Sequence, residues 1–356
     1  MESVSVVMCT YNGEKFLSQP IDSILQQTHP ILELIIQDDG STDGTLSIAE
    51  SYALRYPFVH VYQNTTNLGF NENFRTAVKR TKGQFIALAD QDDIWFPEKI
   101  AKQVAAIGTA AICCSPCVKG SELNTAKPYK YKFSFEQQLF ASIYGHTMLC
   151  KREFLLDDSH WLPSLWFDWS ITLFAWLEDG VSVVNEPLNW HREHSAEVTI
   201  TQKNNDSPLA PYLHGYARYR RLQKDNNWQL AYRLVYERTG DKFPLVHHLC
   251  RLLLTEGLGA YLRLCLLCVR HRNLIYPTHR THGLGGIVRA FFFPAIHAYS
   301  TTLYRNCQVY RSGHHDLPNR YFLKNGLTRR IFDVMQLKPI TIRAISTDSV
   351  VSMAKL

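Results

Sequence analysis

The chain has 356 residues, 46% of them hydrophobic and 20% charged; it can bury a full core with room for an extension, which excludes a disordered or low-complexity protein. Its net charge of +6 conceals an asymmetry: residues 206–356 hold 22 Lys and Arg against 8 Asp and Glu, or +14, which leaves −8 on residues 1–205. An acidic half suits metal binding and a basic, aromatic-rich half suits an anionic membrane surface, while no nucleic-acid-binding motif occurs in the basic part.

In chain order, residues 4–8 read as a strand and 18–27 as a helix that Ser18 could cap with Pro20 in its first turn. Residues 32–37 follow as a strand, 44–56 as a helix capped by Asp43, 59–63 as a strand, 71–81 as a helix and 85–89 as a fourth strand. This alternation predicts an α/β fold with a mostly parallel sheet flanked by helices. Ligands of such sheets bind outside the carboxyl ends of the strands, and polar clusters fall at those places: Thr10-Tyr11-Asn12-Gly13, Asp38-Asp39-Gly40-Ser41, Asn67-Leu68-Gly69 and Asp90-Gln91-Asp92-Asp93. No dinucleotide or P-loop glycine pattern follows any strand.

Residues 120–133 weaken into a loop rich in Lys and Tyr, and 135–144 read as helix. Residues 163–189 mix aromatic and acidic side chains before Trp190-His191-Arg192-Glu193-His194, and a polar linker at 201–208 leads to the basic region. That region reads as helices. Its most apolar stretches, 249–269 and 287–304, are interrupted by Arg251, Glu256 and Arg263 and by Arg289 and Pro294, so neither is a good spanning helix and peripheral attachment fits better. Met1-Glu2-Ser3-Val4 lacks a secretory pattern, so the expected location is cytoplasmic, peripheral on the inner face of the plasma membrane. The nine cysteines are odd in number and unpaired in spacing, which favours reduced thiols. Cys114-x-x-Cys117 and Cys265-x-x-Cys268 have zinc-like spacing, but the second pair lies in a Leu-rich helical pattern where cysteine serves as a small hydrophobe.

A leaving group that gains negative charge as its bond breaks is stabilised by a metal or fixed cations. The run Asp90-Gln91-Asp92-Asp93, directly after an apolar strand, offers the carboxylate oxygens that Mg²⁺ or Mn²⁺ takes, although alone it also reads as a solvated turn. An acceptor hydroxyl needs a general base, and Asp168 within Leu165-Trp166-Phe167-Asp168-Trp169 sits among aromatic residues that would raise its pKa; a helix-capping role is the other reading. His191 reads as structural, and His247-His248 and His314-His315 give no ligand spacing.

Four elements occur in the order found in family 2 glycosyltransferases: Val6-Val7-Met8-Cys9-Thr10-Tyr11-Asn12, Gln37-Asp38-Asp39-Gly40-Ser41-Thr42-Asp43, Asn67-Leu68-Gly69 and Ala89-Asp90-Gln91-Asp92-Asp93-Ile94-Trp95. Over roughly residues 3–200 the chain resembles that family, with the GT-A nucleotide-diphospho-sugar transferase fold. The resemblance implies that Tyr11 stacks on the nucleotide base and Asp39 accepts from a base N–H. Thr10, Asn12 and Asn67 join them in binding the nucleotide sugar, Asp90 lies near the ribose or donor sugar, and Asp92 coordinates the metal. Asp168 matches the base of members in which an aspartate precedes an aromatic residue, though Phe167 stands where Glu or His is common. Arg192-Glu193-His194, after Glu186-Pro187-Leu188, resembles the later Arg-x-His element, which makes His194 a ligand of the metal or diphosphate.

These features predict a catalytic domain at 1–205, with a nucleotide half at 1–115 and an acceptor half at 116–205, and a basic helical region at 206–356. The predicted activity is inverting, metal-dependent transfer from a nucleoside diphosphate sugar to a hydroxyl of a saccharide or lipid-linked saccharide. The motifs look most like the rhamnosyltransferase-like branch that builds surface polysaccharide. Transfer to a polyprenyl phosphate and a non-catalytic saccharide- or membrane-binding role stand as alternatives.

Overall fold

Val4–Thr10 (β1) is buried along nearly its whole length, as an apolar, β-branched run must be when helices cover both faces of a sheet. It pairs in parallel with Glu33–Asp38 (β2), which pairs in parallel with Val59–Gln63 (β3); on its other side lies Phe85–Asp90 (β4), again parallel. Ser18–Leu25 (α1), Thr45–Arg55 (α2) and Phe70–Val78 (α3) make the crossovers. The computed structural model describes residues 2–129, 133–162, 165–194, 207, 209–276 and 283–300. The 201–208 linker except Ser207, the end of the 287–304 stretch, Cys307 and His314-His315 lie outside the described residues.

Register brings the strand ends level. Cys9 lies opposite Asp90, Thr10 opposite Asp38, and Asp38 opposite Gln63. Below them Val6, Met8, Leu34, Ile36 and Ala87 form a core with Leu17, Ile21 and Ile24 of α1. Every polar cluster after a strand therefore projects from one edge of a rigid sheet.

Past β4 come Ile94–Trp95 (β5), Lys99–Ile107 (α4), Ile112–Cys114 (β6), Cys117–Gly120 (β7) and Lys127–Tyr129 (β8). Phe135–Gln138 (α5), Met148–Lys151 (β9), Arg152–Leu156 (α6), Phe167–Leu177 (α7), Val181–Val183 (β10) and Asn189–Arg192 (β11) follow. The large sheet has the order β10-β6-β9-β4-β1-β2-β3, with β9 antiparallel to both its neighbours; a second sheet has the order β5-β11-β7-β8. The chain passes from one sheet to the other between Asp90 and Ile94, so the acidic run lies at their junction.

The expected fold class holds, and the first four strands begin and end within two residues of their predicted limits. Two local readings change. Ser18 is the first residue of α1 and makes no cap; Leu17 precedes it with no side-chain cap bond. Residues 135–144 are helical only over Phe135–Gln138, capped by Ser134, because the indole Nε1 of Trp169 in α7 takes the Gln138 carbonyl and the chain then bends into a 3₁₀ turn at Gly145–Thr147.

Ala210–Leu222 (α8), Asn226–Thr239 (α9), Pro244–Leu254 (α10), Leu258–Arg270 (α11), Arg272–Ile275 (α12) and Gly283–Phe291 (α13) form the later region. They pack on the sheet domain: α9 lies against α7, and α10 and α12 against α5. The Tyr232 hydroxyl donates to the Leu139 carbonyl and Ser134 Oγ to the Leu274 carbonyl. Among the described residues no helix is long and apolar enough to cross a membrane.

Gly145 is fixed by space, since a Cβ there would stand 2.7 Å from Cζ of Phe167 and 3.8 Å from Cβ of Asp168. Gly145→Ala should push the first turn of α7 away and cost about 1–3 kcal/mol, as overpacking in a core does. Chemical denaturation of the two proteins checks this, and an unchanged midpoint would mean that the contact is not held.

Candidate active site

The loop after β1 is stitched to the acidic run. Gln91 Oε1 accepts from the Tyr11 amide at 2.9 Å while Gln91 Nε2 donates to the Tyr11 carbonyl at 3.1 Å. Gly13 leaves room for this, because a Cβ there would lie 2.3 Å from Gln91 Oε1. Asn12 turns the loop with φ of 47°, a left-handed value that Asn tolerates better than most residues, and its Oδ1 accepts from the Thr42 amide at 2.9 Å. The Tyr11 ring is half exposed at this edge.

Thr10 and Asp38 are buried together, with Thr10 Oγ1 donating to Asp38 Oδ1 at 2.9 Å, and Asp38 also accepts from the Ser41 amide. Asp38 is thus the turn-forming carboxylate of the pair. Asp39 is buried too and holds the third loop: Oδ1 accepts from the Leu68 amide and Asn64 Nδ2, both at 2.8 Å, and Oδ2 from the Gly69 amide at 2.9 Å. Asn67 reinforces that loop through Oδ1 to the Gly69 amide. An ionised carboxylate has about four acceptor positions, so Asp39 keeps capacity for one further donor.

Asp90, Asp92 and Asp93 bring ligand atoms within 4.8 Å of one another. Their environments differ. Asp93 is fully buried, and its Oδ2 lies 2.9 Å from His146 Nδ1, its Oδ1 2.9 Å from His191 Nδ1 and 3.1 Å from the Arg192 amide. Burial alone would raise its pKa, but the two imidazoles outweigh burial and hold the carboxyl well below the usual range, while burial keeps His146 neutral-leaning against the pull of Asp93. The consistent arrangement is an ionised Asp93 accepting Nδ1–H bonds from both rings.

Asp90 has only the more distant His191 to offset its surroundings. Burial, and then repulsion from Asp93 and Asp92, pushes its carboxyl well above the ordinary value. Asp92 meets His194, whose Nε2 lies 2.8 Å from Asp92 Oδ2; the His194 ring packs on Phe16 at 4.3 Å between centroids. Two adjacent ligands of an octahedral ion, each about 2.1 Å from it, stand about 3 Å apart. The Asp92–His194 contact is itself a hydrogen bond, and the oxygen-rich group Asp90, Asp92 and Asp93 is of the kind that takes Mg²⁺ or Mn²⁺.

Asp168 lies in the first turn of α7, buried, and near enough to Asp90 to raise it by repulsion. Desolvation pushes the Asp168 carboxyl up to about 6, against hydrogen bonds from Ser142 and the Trp169 and Gly145 amides. A carboxylate poised there suits general-base work near neutral pH. Asn71 in α3 fixes the approach to the helix, donating from Nδ2 to the Leu165 carbonyl at 2.7 Å and accepting on Oδ1 from the Phe167 amide at 3.0 Å.

The structure thus gathers Thr10, Tyr11, Asn12, Asp39 and Asn67 at the β1–β3 ends, and Asp90, Asp92, Asp168 and His194 beside the β4 end. Sequence reasoning passed over His146, Gln91 and Asn71. His146 carried one signal, a His after Gly at the entrance to an apolar strand. Gln91 and Asn71 carried none, since amide side chains in polar loops are common. His191 lies in β11, the strand context expected for it, and pairs with Asp93. Cys265 and Cys268 are buried in α11, and neither group of three or more possible metal ligands among the described residues contains a cysteine.

Comparison with known proteins agrees with this fold. Residues 5–159 match the model of the family described as Glycosyl transferase family 2. The chain is 44% identical over 103 residues to EpsE of Bacillus subtilis, which carries a provisional glycosyltransferase name, covering 29% of this chain and 37% of that protein. It is 29% identical over 160 residues to the dTDP-rhamnosyl transferase RfbG of Shigella flexneri, covering 42% and 55% respectively. The chain therefore spans less than two thirds of the length of these relatives. In fold it is similar to S. aureus TarS 1-349, crystallised with UDP-GlcNAc, with a TM-score of 0.51 and 19% identity over 88% of this chain and 92% of that one.

The raised Asp168 carboxyl links activity to stability. Its folded value of about 6 exceeds the unfolded value of about 3.9, so it favours folding fully below about pH 4 and loses that contribution as pH rises through 6. Asp168→Asn should raise stability near pH 7 by up to about 3 kcal/mol, seen as a higher melting temperature, and the gain should shrink towards pH 4. Thermal melts across that range read it directly; a variant less stable than wild type at neutral pH would contradict the assignment.

Residues 5–159 are thus similar to a glycosyl transferase family 2 domain, and the chain has the GT-A fold.

Proposed function

We propose that the protein moves one sugar, with inversion, from a nucleoside diphosphate sugar to a hydroxyl of a saccharide or lipid-linked saccharide. The work is assigned to surface polysaccharide synthesis on the inner face of the plasma membrane, with residues 1–205 as the catalytic domain and 206–356 as a basic helical region. The observation that carries the reading is the buried, up-shifted Asp168 beside Asp90 and the Asp92–His194 pair. A phosphate acceptor is already anionic and needs no base, so a buried carboxylate kept near neutrality favours a hydroxyl acceptor over a polyprenyl phosphate.

Tyr11 offers an aromatic face to the base, and Asp39 offers its remaining acceptor position to a base N–H. Thr10, Asn12 and Asn67 shape the loops that flank the nucleotide. Asp92 and His194 would hold Mg²⁺ or Mn²⁺, whose chemistry is to neutralise the departing diphosphate. Asp90 faces the ribose or donor sugar. Asp168 accepts the proton of the attacking hydroxyl, and its aromatic surroundings keep bulk water away from that carboxylate. RfbG is named a dTDP-rhamnosyl transferase, which makes deoxythymidine diphosphate rhamnose the first donor to try.

Two variants separate the roles. With a cognate donor and Mn²⁺ at about 100 times the dissociation constant, the wild type should gain about 2.7 kcal/mol of stability. Asp168→Asn should keep that gain and lose transfer by about 10²–10⁴-fold, whereas Asp92→Asn should lose the Mn²⁺-dependent part of the gain. Unchanged turnover in Asp168→Asn would overturn the hydroxyl-acceptor reading, and a wild type that neither binds nor consumes any donor in a nucleotide-sugar panel would overturn transfer altogether.

A further inference from the structure

Helix α11 buries Tyr261, Leu264, Cys265 and Cys268 against the protein, with Tyr261 set among Tyr216 and Tyr219 at ring distances of 4.6 and 5.0 Å. Its opposite side is apolar as well. Leu258, Leu262 and Leu266 recur every fourth residue and are exposed, Leu266 by 60%, and Arg270 continues the same row. Helix α13, which packs against α11, repeats the pattern: Gly286 and Ala290 face inward, while Leu284, at 79%, Ile287 and Val288 are exposed with Arg289 beside them.

Charge selects the occupant of this face. Residues 257–315 contain no Asp or Glu and seven Arg, in a protein whose first 205 residues are net acidic. A protein partner of ordinary composition would not demand the complete exclusion of carboxylates over 59 residues; a surface of uniformly negative charge does. Apolar rows flanked by arginine, on helices too short and too interrupted to span, are the pattern of helices that lie in the plane of a bilayer interface.

We propose that the exposed rows of α11 and α13 insert side by side into the headgroup region of an anionic phospholipid bilayer, with the arginines on lipid phosphates. The proposal rests on the membrane-side placement given above and names the surface that achieves it. It also orders the acceptor: a lipid-linked saccharide would be met at the membrane by a protein already held there.

Full-length protein is sedimented with vesicles of phosphatidylcholine alone or with about 30% phosphatidylglycerol, at low and high salt. Binding should require the anionic lipid and weaken with salt, as screening demands. Leu262→Glu with Leu266→Glu should lower partitioning about tenfold or more by putting charge where the acyl boundary must be. A second variant, Arg270→Gln with Arg289→Gln, should weaken binding to anionic vesicles without changing the melting temperature. All four side chains are exposed, so donor consumption in solution should remain at the wild-type level in both variants, which separates failure here from failure of the transferase reading. Wild type that ignores anionic vesicles, variants that bind as wild type does, retention on duplex DNA in place of vesicles, or a dimer in solution that Leu262→Glu with Leu266→Glu dissolves would each overturn the proposal.

Discussion

The site depends on one buried carboxylate. Asp93 is 0% exposed at the side chain and binds His146 on one oxygen and His191 on the other, with the Arg192 amide as a third donor. An ionised carboxylate in a protein interior costs several kcal/mol unless it is well paired, so the chain can bury Asp93 only if the turn bearing His146 and the strand bearing His191 arrive together. His191 comes from 98 residues away. What this fixes is functional: β11 leads from His191 into His194, and the turn bearing His146 begins at Gly145, on which Phe167 of the Asp168 helix rests. The placement of both the cation side and the base side follows from satisfying Asp93.

Its neighbours are treated oppositely, and the contrast gives the acidic run its chemistry. With two imidazoles on Asp93 and none on Asp90, the run holds one satisfied charge beside a carboxyl pushed up by burial and repulsion. Such a site gains from any added positive charge. Asp92, partly exposed and already within 2.8 Å of His194, is where an incoming cation has access. The three carboxylates of the run thus differ in setting, Asp93 fully paired, Asp92 beside one imidazole and Asp90 pushed up by burial and repulsion, a division that the spacing of the residues does not contain.

That limit defines what the sequence could disclose. The strands β1 to β4 were legible because each is an apolar run with a polar cluster at its carboxyl end, and the parallel sheet follows from their alternation with helices. Asp90, Asp92, Asp168 and His194 were legible as residue types in motif order. The partners that set their properties were not. His146 belongs to a three-residue turn just past a stretch whose pattern reads as helix, and that helix ends early at Gln138, whose carbonyl Trp169, far along the sequence, captures. Gln91 and Asn71 act through amide groups on backbone atoms of distant loops, contacts that leave no periodic trace. The second sheet was missed for a related reason: strands of two to four residues are too short to show alternation.

The charge step near residue 206 separates two chemistries, while packing runs across it. Helix α7, which carries Asp168, has α5 on one side and α9 on another, and Arg238 of α9 lies over the Phe174 ring of α7 at 5.6 Å. The burial of α7 is thus completed in part by a helix with the composition of the basic region. The later helices put apolar surface to two uses, α9 closing over α7 and the rows of α11 and α13 turned outward beside arginines. Both uses depend on apolar side chains arranged among fixed positive charges, which is the composition that the sequence showed first.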